Sequence, residues 1–364
     1  MSESATASAP AKTQPKAKKN RLSSGFFRFV LTRFLLIIPT VFILVTIVFF
    51  VMRATGDPIS AAMGGRLTPE ELQRRIHAAG YDRPLVVQYL DYLGGLLRGD
   101  LGTTLTDNQP VTTILTRYGA ATFELAFLSL IVALIVGIGL GRLAAVTTTM
   151  MIADMAGIRV FAILCYATPV FFLGLMLKLV FAVWLNVLPP SGRSSFASDM
   201  QFQRLVSPTG FYIIDAFQLG DMSVLVDVLR HAVLPALALG LLTAGVFIRL
   251  VRTNVISTYT SGYVEAARSR GVSEGRLLSK HAWRPAMIPI ITVMGMQIAL
   301  MLAGAVLTET TFEWKGLGFM LSQYLKQRDF VAVQGIVILI AIIVAVVNFI
   351  VDVISALIDP RVRY

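Results

Sequence analysis

The stretch FVAVQGIVILIAIIVAVVNFIV, residues 330–351, contains no Asp, Glu, Lys or Arg. A run of about 20 predominantly apolar residues is long enough to cross the hydrocarbon core of a bilayer as a helix. Strands and ordinary core helices of soluble proteins do not need so long an uninterrupted apolar run. The stretch therefore predicts a membrane-spanning helix, and the fold depends on how many similar runs the chain holds.

Five more charge-free runs lie upstream of this one. They cover residues 34–52, 125–141, 160–177, 231–248 and 285–308. The third run continues past Lys178 to Leu188, and the fourth contains Pro235 and Gly240. A membrane helix tolerates Pro and Gly where neighbouring groups bind the freed backbone. The six runs predict an all-α polytopic membrane protein with six transmembrane helices.

The composition agrees with a membrane protein. Of the 364 residues, 55% are hydrophobic and only 15% are charged, and the mean hydropathy is +0.72. Soluble domains carry about 25% charged residues. The net charge of +11 does not indicate nucleic acid, because the basic residues lie between the apolar runs. The single cysteine, Cys165, excludes a disulfide within the chain.

The basic residues predict the orientation. Lys and Arg are concentrated in the N-terminal tail, in the links between the second and third and between the fourth and fifth runs, and in the C-terminal tail. If six helices alternate in direction, these four regions share one side, which is the cytoplasm by the positive-inside rule. We therefore expect a multi-pass protein of the cell (plasma or inner) membrane, in contact with lipid, with both termini in the cytoplasm.

This topology divides the chain into regions. The predicted regions are a disordered basic tail at 1–25, the first transmembrane helix and retained anchor at 26–53, an extracytoplasmic region at 54–120, a five-helix core at 121–358, and a cytoplasmic tail at 359–364. The core contains an extracytoplasmic loop at 186–230 and a cytoplasmic loop at 252–284. In the first outer region, Thr68-Pro69 predicts a helix that starts there and ends near Gly80. A second, amphipathic helix is expected from Leu85 to Leu97, whereas 186–228 shows no obvious long element.

The cytoplasmic loop contains YVEAARSRG, residues 263–271, which is polar and strongly basic. Apolar residues at helical spacing predict one helix from Ile256 to Arg270. Gly271 fits the left-handed position that ends a helix. Ser273 then caps a second short helix, on which Leu277, Leu278 and His281 face one way. The two alanines of EAA leave one face shallow enough for a partner to approach, although a solvated basic hairpin at lipid headgroups is the alternative.

No catalytic or metal site is predicted. The three histidines, His77, His231 and His281, lie in different regions. The sequence contains no HExxH, no GxSxG and no GxxxxGK[ST] phosphate loop. We expect no cofactor in this chain, so energy for any active transport must come from a partner or an ion gradient.

Four residues in or near the apolar runs are candidates for a translocation path: Lys178, Gln297, Thr308 and Glu309. A lysine at membrane depth costs about 2.5–3.5 kcal/mol, so it must face a cavity or a partner, or extend to the outer surface. Glu309 ends the fifth run, where a structural role is the alternative. Gln297 and Thr308 lie among small residues that helix packing explains equally well.

EAARSRG is similar to the cytoplasmic EAA loop of the permease subunits of bacterial ATP-binding-cassette (ABC) importers, with Glu265, Ala266, Ala267 and Gly271 at the expected spacing. HAWRPAMIP resembles the continuation of that loop in the dipeptide, oligopeptide and nickel branch. Further pieces resemble that branch, in family order: RATGDP (53–58), LLRGDLGTTLTDNQPV (96–111), ATFELAF (121–127), TPVFFLGL (168–175), LPPSG (188–192), HAVLPALALG (231–240), ETTFEWKGLG (309–318), RDFVAVQG (328–335) and NFIVDVISALIDPRVR (348–363). Thr55 and Lys315 stand where the family has proline.

The resemblance implies the type I ABC importer permease fold and the B-type subunit of the oligopeptide and dipeptide permeases. It implies pairing with a second, homologous permease, two ATPase subunits that bind ATP and Mg, and an extracytoplasmic substrate-binding protein. The implied coupling loop that docks on an ATPase contains Tyr263, Glu265, Ala266, Ala267, Arg268, Gly271, Leu277 and His281.

Other functions stay open on the sequence. Nickel and glutathione importers use nearly the same permease, so the motifs do not separate them from a peptide importer. An ion-coupled secondary transporter would need intramembrane charge pairs and inverted repeats, which are not evident. A membrane-embedded enzyme would need His, Asp or Glu grouped at one depth, which the scattered histidines do not provide.

Overall fold

A computed structural model describes residues 21–65, 67–149 and 156–358 of the chain. These residues form α-helices, π-helical turns and one isolated antiparallel bridge between Thr103 and Pro110. The helices are α1 (Arg21–Ala54), α2 (Pro58–Met63), α3 (Pro69–Ala78), α4 (Leu85–Leu97), α5 (Val111–Thr149), α6 (Ala156–Ala167), α7 (Val170–Leu177), α8 (Phe196–Phe202), α9 (Tyr212–Leu219), α10 (Met222–Tyr259), α11 (Gly262–Ser269), α12 (Glu274–Arg276), α13 (Trp283–Phe312), α14 (Leu317–Lys326) and α15 (Phe330–Ile358). π-Helical segments follow α7 (Lys178–Trp184) and α12 (Leu277–Ala282).

Four of these helices, α1, α5, α10 and α15, are long and apolar enough to cross a membrane. Two bent helix pairs bring the total to as many as six spans within the described part of the chain. The pairs are α6 with α7 and its π-helical extension, and the stretch Glu274–Met287 with Pro289–Leu302 of α13. The expected all-α polytopic membrane fold is thereby confirmed.

The third span is broken into two helices, whereas the sequence predicts one transmembrane helix. The chain bends by 111° between Ala167 and Val170. Pro169 causes the break, because it has no amide hydrogen and disfavours helical geometry at Thr168. The two halves nevertheless follow α10 in one direction. Ala162 of α6 lies against Gly245, whereas Leu177 of α7 packs near Leu234, eleven positions earlier on α10.

Helices α5 and α10 form the centre of the bundle and run parallel. A Cβ atom on Gly240 would lie 2.7 Å from the Ser129 carbonyl oxygen, and one on Gly141 would lie 2.8 Å from Val251 Cβ. Glycine therefore permits the close approach of the two backbones, as small residues do between membrane helices. This contact explains why Gly240 is present within the predicted fourth span.

The helix directions place two sets of loops at opposite ends of the bundle. Arg33 near the start of α1 pairs with Asp352 near the end of α15, at 3.3 Å. A Cβ on Gly295 in the first half of α13 would clash with Val351, so the loop before α13 lies at this same end, here called the loop end. At the other end, here called the opposite end, Gly335 of α15 lies against Val111 at the start of α5.

Helix boundaries extend beyond the charge-free runs. α10 begins at Met222 and ends at Tyr259, although the fourth run covers only 231–248. α1 begins at Arg21, inside the segment that the sequence predicts to be disordered, because adding residues to an existing helix costs little. Residues 1–20 of that segment and the tail at 359–364 lie outside the described residues.

The two helices predicted between the first and second spans are confirmed. α3 follows Thr68, whose hydroxyl accepts a hydrogen bond from the Glu71 amide, and the chain leaves it through Gly80 at φ +70°. α4 has the bounds that the amphipathic pattern predicts. The loop after the third span contains two short helices, α8 and α9.

Candidate functional site: the loop between α10 and α13

The loop end contains the segment that the sequence singles out. The single helix predicted from Ile256 to Arg270 is wrong in one respect, because a turn at Thr260-Ser261 separates α10 from α11. The Ser261 hydroxyl donates to the Thr258 carbonyl at 2.5 Å, and the amides of Val264 and Glu265 donate to the Ser261 carbonyl. A Ser that bonds its own local backbone favours a turn over a continuous helix.

Gly271 ends α11 as predicted. Its φ is +80°, in the left-handed region that glycine adopts without strain. Its amide donates to the Arg268 carbonyl at 2.9 Å, and the Val272 amide donates to the Ala267 carbonyl at 3.3 Å. These bonds satisfy the last carbonyls of α11, and the chain then reverses into α12.

The inner face of the loop is apolar and closed. Val264, Leu277 and Ala282 have no exposed side-chain surface. Leu278 belongs to a buried cluster that also contains Val255 of α10 and residues of α5 and α13. The short helices and the π-helical segment are therefore packed onto the ends of α10 and α13.

A polar triad joins α10, α11 and α12. Arg268 Nε donates to Glu274 Oε1 at 2.7 Å, and the Tyr259 hydroxyl donates to the other carboxylate oxygen. The Arg268 guanidinium also lies 4.9 Å from the centre of the Tyr259 ring. These hydrogen bonds, first that from Arg268, hold the pKa of Glu274 below its ordinary value. No local sequence pattern indicates this cross-link, because the pairing depends on the turn at Gly271.

Tyr263 and His281 make a second contact between the two halves of the loop. The Tyr263 hydroxyl donates to the His281 carbonyl at 3.2 Å, and His281 Nδ1 lies 3.3 Å from the Arg276 carbonyl oxygen. Half of the Tyr263 surface stays exposed.

The outer face of the loop is available to a partner. Glu265 and Ala266 are exposed, and within the described residues no side chain pairs with the Glu265 carboxylate. Ser269 at the end of α11 and Arg270 directly after it are also exposed. Of the predicted coupling residues, Leu277 belongs to the buried support, whereas Glu265, Ala266 and Gly271 are exposed.

The four candidate path residues are not brought together. Lys178 Nζ donates to the Thr311 carbonyl at 2.9 Å and lies 5.5 Å from the Phe312 ring centre, so it binds the last turn of α13. A cation at a helix C-terminus satisfies free carbonyl groups and opposes the helix dipole. Thr308 and Glu309 are buried near the same end of α13. Gln297 lies nearer the loop end and lines a cavity.

That cavity measures about 390 Å³ and lies between α6, α10 and α13. Its lining includes Tyr166, Leu242, Thr243, Arg249 and Gln297. The volume falls within the usual range for small-molecule sites, and an apolar wall with a few polar groups is typical of them.

The opposite end holds a buried polar network that the sequence analysis did not identify. Arg193 pairs with Glu124 at 2.6 Å, and their side chains are only 8% and 3% exposed. Glu124 also accepts from the Ile213 amide at 2.8 Å, and Arg193 lies over the Tyr212 ring at 3.7 Å. α5 therefore fixes the loop between the third and fourth spans through one ion pair.

A second part of the network fixes the segment after α13. Glu309 accepts from the Thr122 hydroxyl at 2.7 Å and from the Phe319 amide at 2.9 Å. Gly316 and Gly318 fit directly against this carboxylate, since a Cβ on Gly316 would lie 2.5 Å from Glu309 Cδ. The motifs ATFELAF and ETTFEWKGLG meet here. In the sequence, only their positions near the ends of two apolar runs could have suggested this contact.

Within the described residues, no group of three or more His, Cys, Asp or Glu side chains is arranged to hold a metal ion.

Comparison with known proteins assigns the fold and the loop to a family. Residues 137–364 match the family described as binding-protein-dependent transport system inner membrane component, and residues 26–125 match the N-terminal region of such membrane components. The chain belongs to this permease family. It is an ABC importer permease subunit, and the loop at 252–284 lies within the matched region.

The matches to relatives span nearly the whole length of this chain and of each relative. The chain is 37% identical over 340 residues to the dipeptide transport system permease protein DppB of Escherichia coli (strain K12), covering 93% of this chain and 99% of that protein. It is 36% identical to the di/tripeptide transport system permease protein DppB of Pseudomonas aeruginosa (strain UCBPP-PA14), with 92% and 98% covered. It is 32% identical to the glutathione transport system permease protein GsiC of Salmonella choleraesuis (strain SC-B67), with 92% and 99% covered.

Proposed function

We propose that this permease carries dipeptides and short oligopeptides into the cell, together with a second homologous permease, two ATPase subunits and an extracytoplasmic binding protein. The observation that carries the proposal is the loop between α10 and α13, with its buried support and exposed EAA surface. The dipeptide names of the relatives favour peptides as cargo. A glutathione permease among them keeps glutathione, itself a small peptide, as a second candidate.

The exposed side of α11 is the proposed docking surface for an ATPase. Glu265 and Ala266 point away from the bundle, and Ala266 leaves space for close approach. Loop contacts to α10 and α13 make the two helices move with the docked loop. ATP binding that closes the ATPases then shifts the permease between two global states, which is alternating access through differential binding. The loop end is accordingly the cytoplasmic end, in agreement with the positive-inside rule.

The cavity that Gln297 lines is the proposed section of the translocation path. Thr308 and Glu309 act instead in closing the opposite end, since both are buried and Glu309 binds the segment after α13. Lys178 supports the same closure through the Thr311 carbonyl.

The test is uptake of labelled dialanine by the whole complex reconstituted in proteoliposomes, with ATP inside. We expect Glu265→Lys to reduce both uptake and binding-protein-stimulated ATP hydrolysis at least tenfold, because a reversed charge in a docked interface costs several kcal/mol. Glu70→Lys on the exposed helix α3 is the matched control and should keep both activities. Full uptake and full stimulated hydrolysis with Glu265→Lys would contradict docking at α11.

A further inference from the structure

Arg249 lies on α10, directly after the charge-free run 231–248. At a rise of about 1.5 Å per residue it lies about 15 Å before the end of α10 at Tyr259. Across residues 21–65, 67–149 and 156–358, its side chain contacts the ring of Tyr166, at 5.7 Å, and forms no ion pair. Arginines in or beside a membrane span usually face a cavity or a partner.

The position of Arg249 joins two cavities. It lines the cavity of about 390 Å³ together with Tyr166, Thr243 and Gln297. It also lines a smaller cavity of about 200 Å³, together with Arg159 and Arg252. The lining that the two cavities share therefore carries the positive charge of Arg249. Among the described residues, no carboxylate lines either cavity.

The Arg249 guanidinium makes a cation–π contact with the Tyr166 ring, whose centre lies 5.7 Å from its carbon. Thr243 and Gln297 add a hydroxyl and an amide on the same cavity, and Leu242 and Leu300 supply apolar wall. A cation, a few neutral hydrogen-bonding groups and an apolar wall fit a short peptide with a free C-terminal carboxylate.

We propose that Arg249 binds the C-terminal carboxylate of the peptide as it passes through this cavity. The proposal rests on the proposed function and specifies which end of the cargo the permease recognises. An anionic lipid headgroup presents similar chemistry, so the experiment must separate a contact with cargo from a contact with lipid.

The experiment is a double-mutant cycle between Arg249 and the cargo. Uptake of labelled dialanine and of its C-terminal amide is measured with the wild-type complex and with Arg249→Gln, in proteoliposomes. Each cargo is supplied at a concentration that saturates the binding protein, established by titrating that protein alone. Because the binding protein is the same in all four measurements, its own preference cancels from the cycle.

We expect Arg249→Gln to lower uptake of dialanine about tenfold or more, as loss of a charged hydrogen bond does, and to lower uptake of the amide less than twofold. Arg249→Lys should fall between, because it retains the charge but loses the planar fork. Arg252→Gln is the matched control, since Arg252 lines only the smaller cavity, and it should affect both cargoes equally.

An equal loss for both cargoes in Arg249→Gln would overturn the proposal. Wild-type uptake that falls equally for both cargoes when anionic lipid is omitted, with no further loss from Arg249→Gln, would assign the arginine to lipid. A wild-type complex without ATP-dependent uptake of either peptide would overturn the proposed function itself, which is a distinguishable result.

Discussion

The two ends of the helix bundle use charge in contrasting ways. At the loop end, Arg268 and Glu274 pair with side chains that are 38% and 45% exposed. At the opposite end, Arg193 and Glu124 pair with less than a tenth of either side chain exposed. An exposed pair contributes little to stability, whereas removing one member of a buried pair leaves an uncompensated charge. The ion pair at the opposite end therefore contributes to holding that end closed, whereas the ion pair at the loop end contributes little beside the apolar packing beneath it.

The largest effect on stability is expected at the buried pair of Arg193 and Glu124. Arg193→Met should lower the free energy of unfolding by about 3–5 kcal/mol, because Glu124 then stays buried without a counter-charge. Thermal or denaturant unfolding of the purified protein in detergent measures it. The control is Arg83→Met, which removes an ion pair to Asp91 whose side chains are 59% and 66% exposed, and which should cost less than about 1 kcal/mol. Equal effects of the two substitutions would remove the distinction between the ends.

A smaller effect on stability is expected at Gly318, where the backbone at the opposite end packs closely against α13. A Cβ on Gly318 would lie 2.5 Å from Val306 Cα, which cannot move like a side-chain tip. Gly318→Ala should therefore cost about 1–3 kcal/mol, as overpacking does. Gly94→Ala in α4, where nothing lies within 4 Å, is the control and should be neutral or stabilising. If both variants unfold at the wild-type temperature, Gly318 does not pack closely against Val306.

At the loop end the corresponding glycine substitution acts through conformation alone. No atom lies within 4 Å of a Cβ on Gly271, but its φ of +80° disfavours any other residue. Gly271→Ala should cost about 1–2 kcal/mol, since left-handed backbone is strained for L-residues. Amide hydrogen exchange in α11 should then be about 5–30 times faster, the factor that corresponds to this energy.

The control for this substitution is Gly275→Ala, which adds the same methyl group at a position without positive φ and with open space around it. It should leave exchange in α11 unchanged. Faster exchange in both variants would mean that the effect of Gly271→Ala does not come from its φ.

These regions also differ in how far the sequence predicts them. The loop was predictable because Gly271, Ser273 and the apolar positions Leu277 and Leu278 act locally, through turn geometry and helical spacing. α4 was predictable for the same reason. The turn at Thr260-Ser261 was missed because apolar spacing continues through it unchanged.

The opposite end was largely unpredictable from sequence. Arg193 and Glu124 are 69 residues apart, and Thr122 and Glu309 are 187 apart. No local pattern pairs residues at such separations, because the helix packing selects them. The bend at Pro169 shows the converse case, in which a local rule against helical geometry at Thr168 outweighed the apolar run on either side.

The smallest effect is expected at the exposed triad. Arg268→Gln should change the free energy of unfolding by less than about 1 kcal/mol, as for other exposed pairs. Its effect should appear in coupling instead, as lower ATP hydrolysis stimulated by the binding protein. A large loss of stability in this variant, measured by thermal unfolding, would place the loop end in the same class as the opposite end.

The pH dependence of the triad has a definite sign. The hydrogen bonds hold the pKa of Glu274 below its ordinary 4.5 in the folded protein, so the folded state favours the ionised carboxylate. The stabilisation is present above pH 4.5 and is lost as the pH falls through the lower, folded value. The contribution of the triad should therefore be constant between pH 6 and 8, as seen by comparing wild-type and Arg268→Gln unfolding across that range. A difference between the two proteins that changes over this range would contradict the assignment.

We propose that the ATPase subunits act on this chain through the exposed face of α11. Cross-linking tests it most directly, with Ala266→Cys as the probe, because Ala266 is exposed and the native Cys165 is buried. In the assembled, active complex, a short cross-linker should join this cysteine to an ATPase subunit, and trapping in the ATP-bound state should change the yield. A complex that transports peptide normally and yields no cross-link between Ala266→Cys and an ATPase in any nucleotide state would contradict the account.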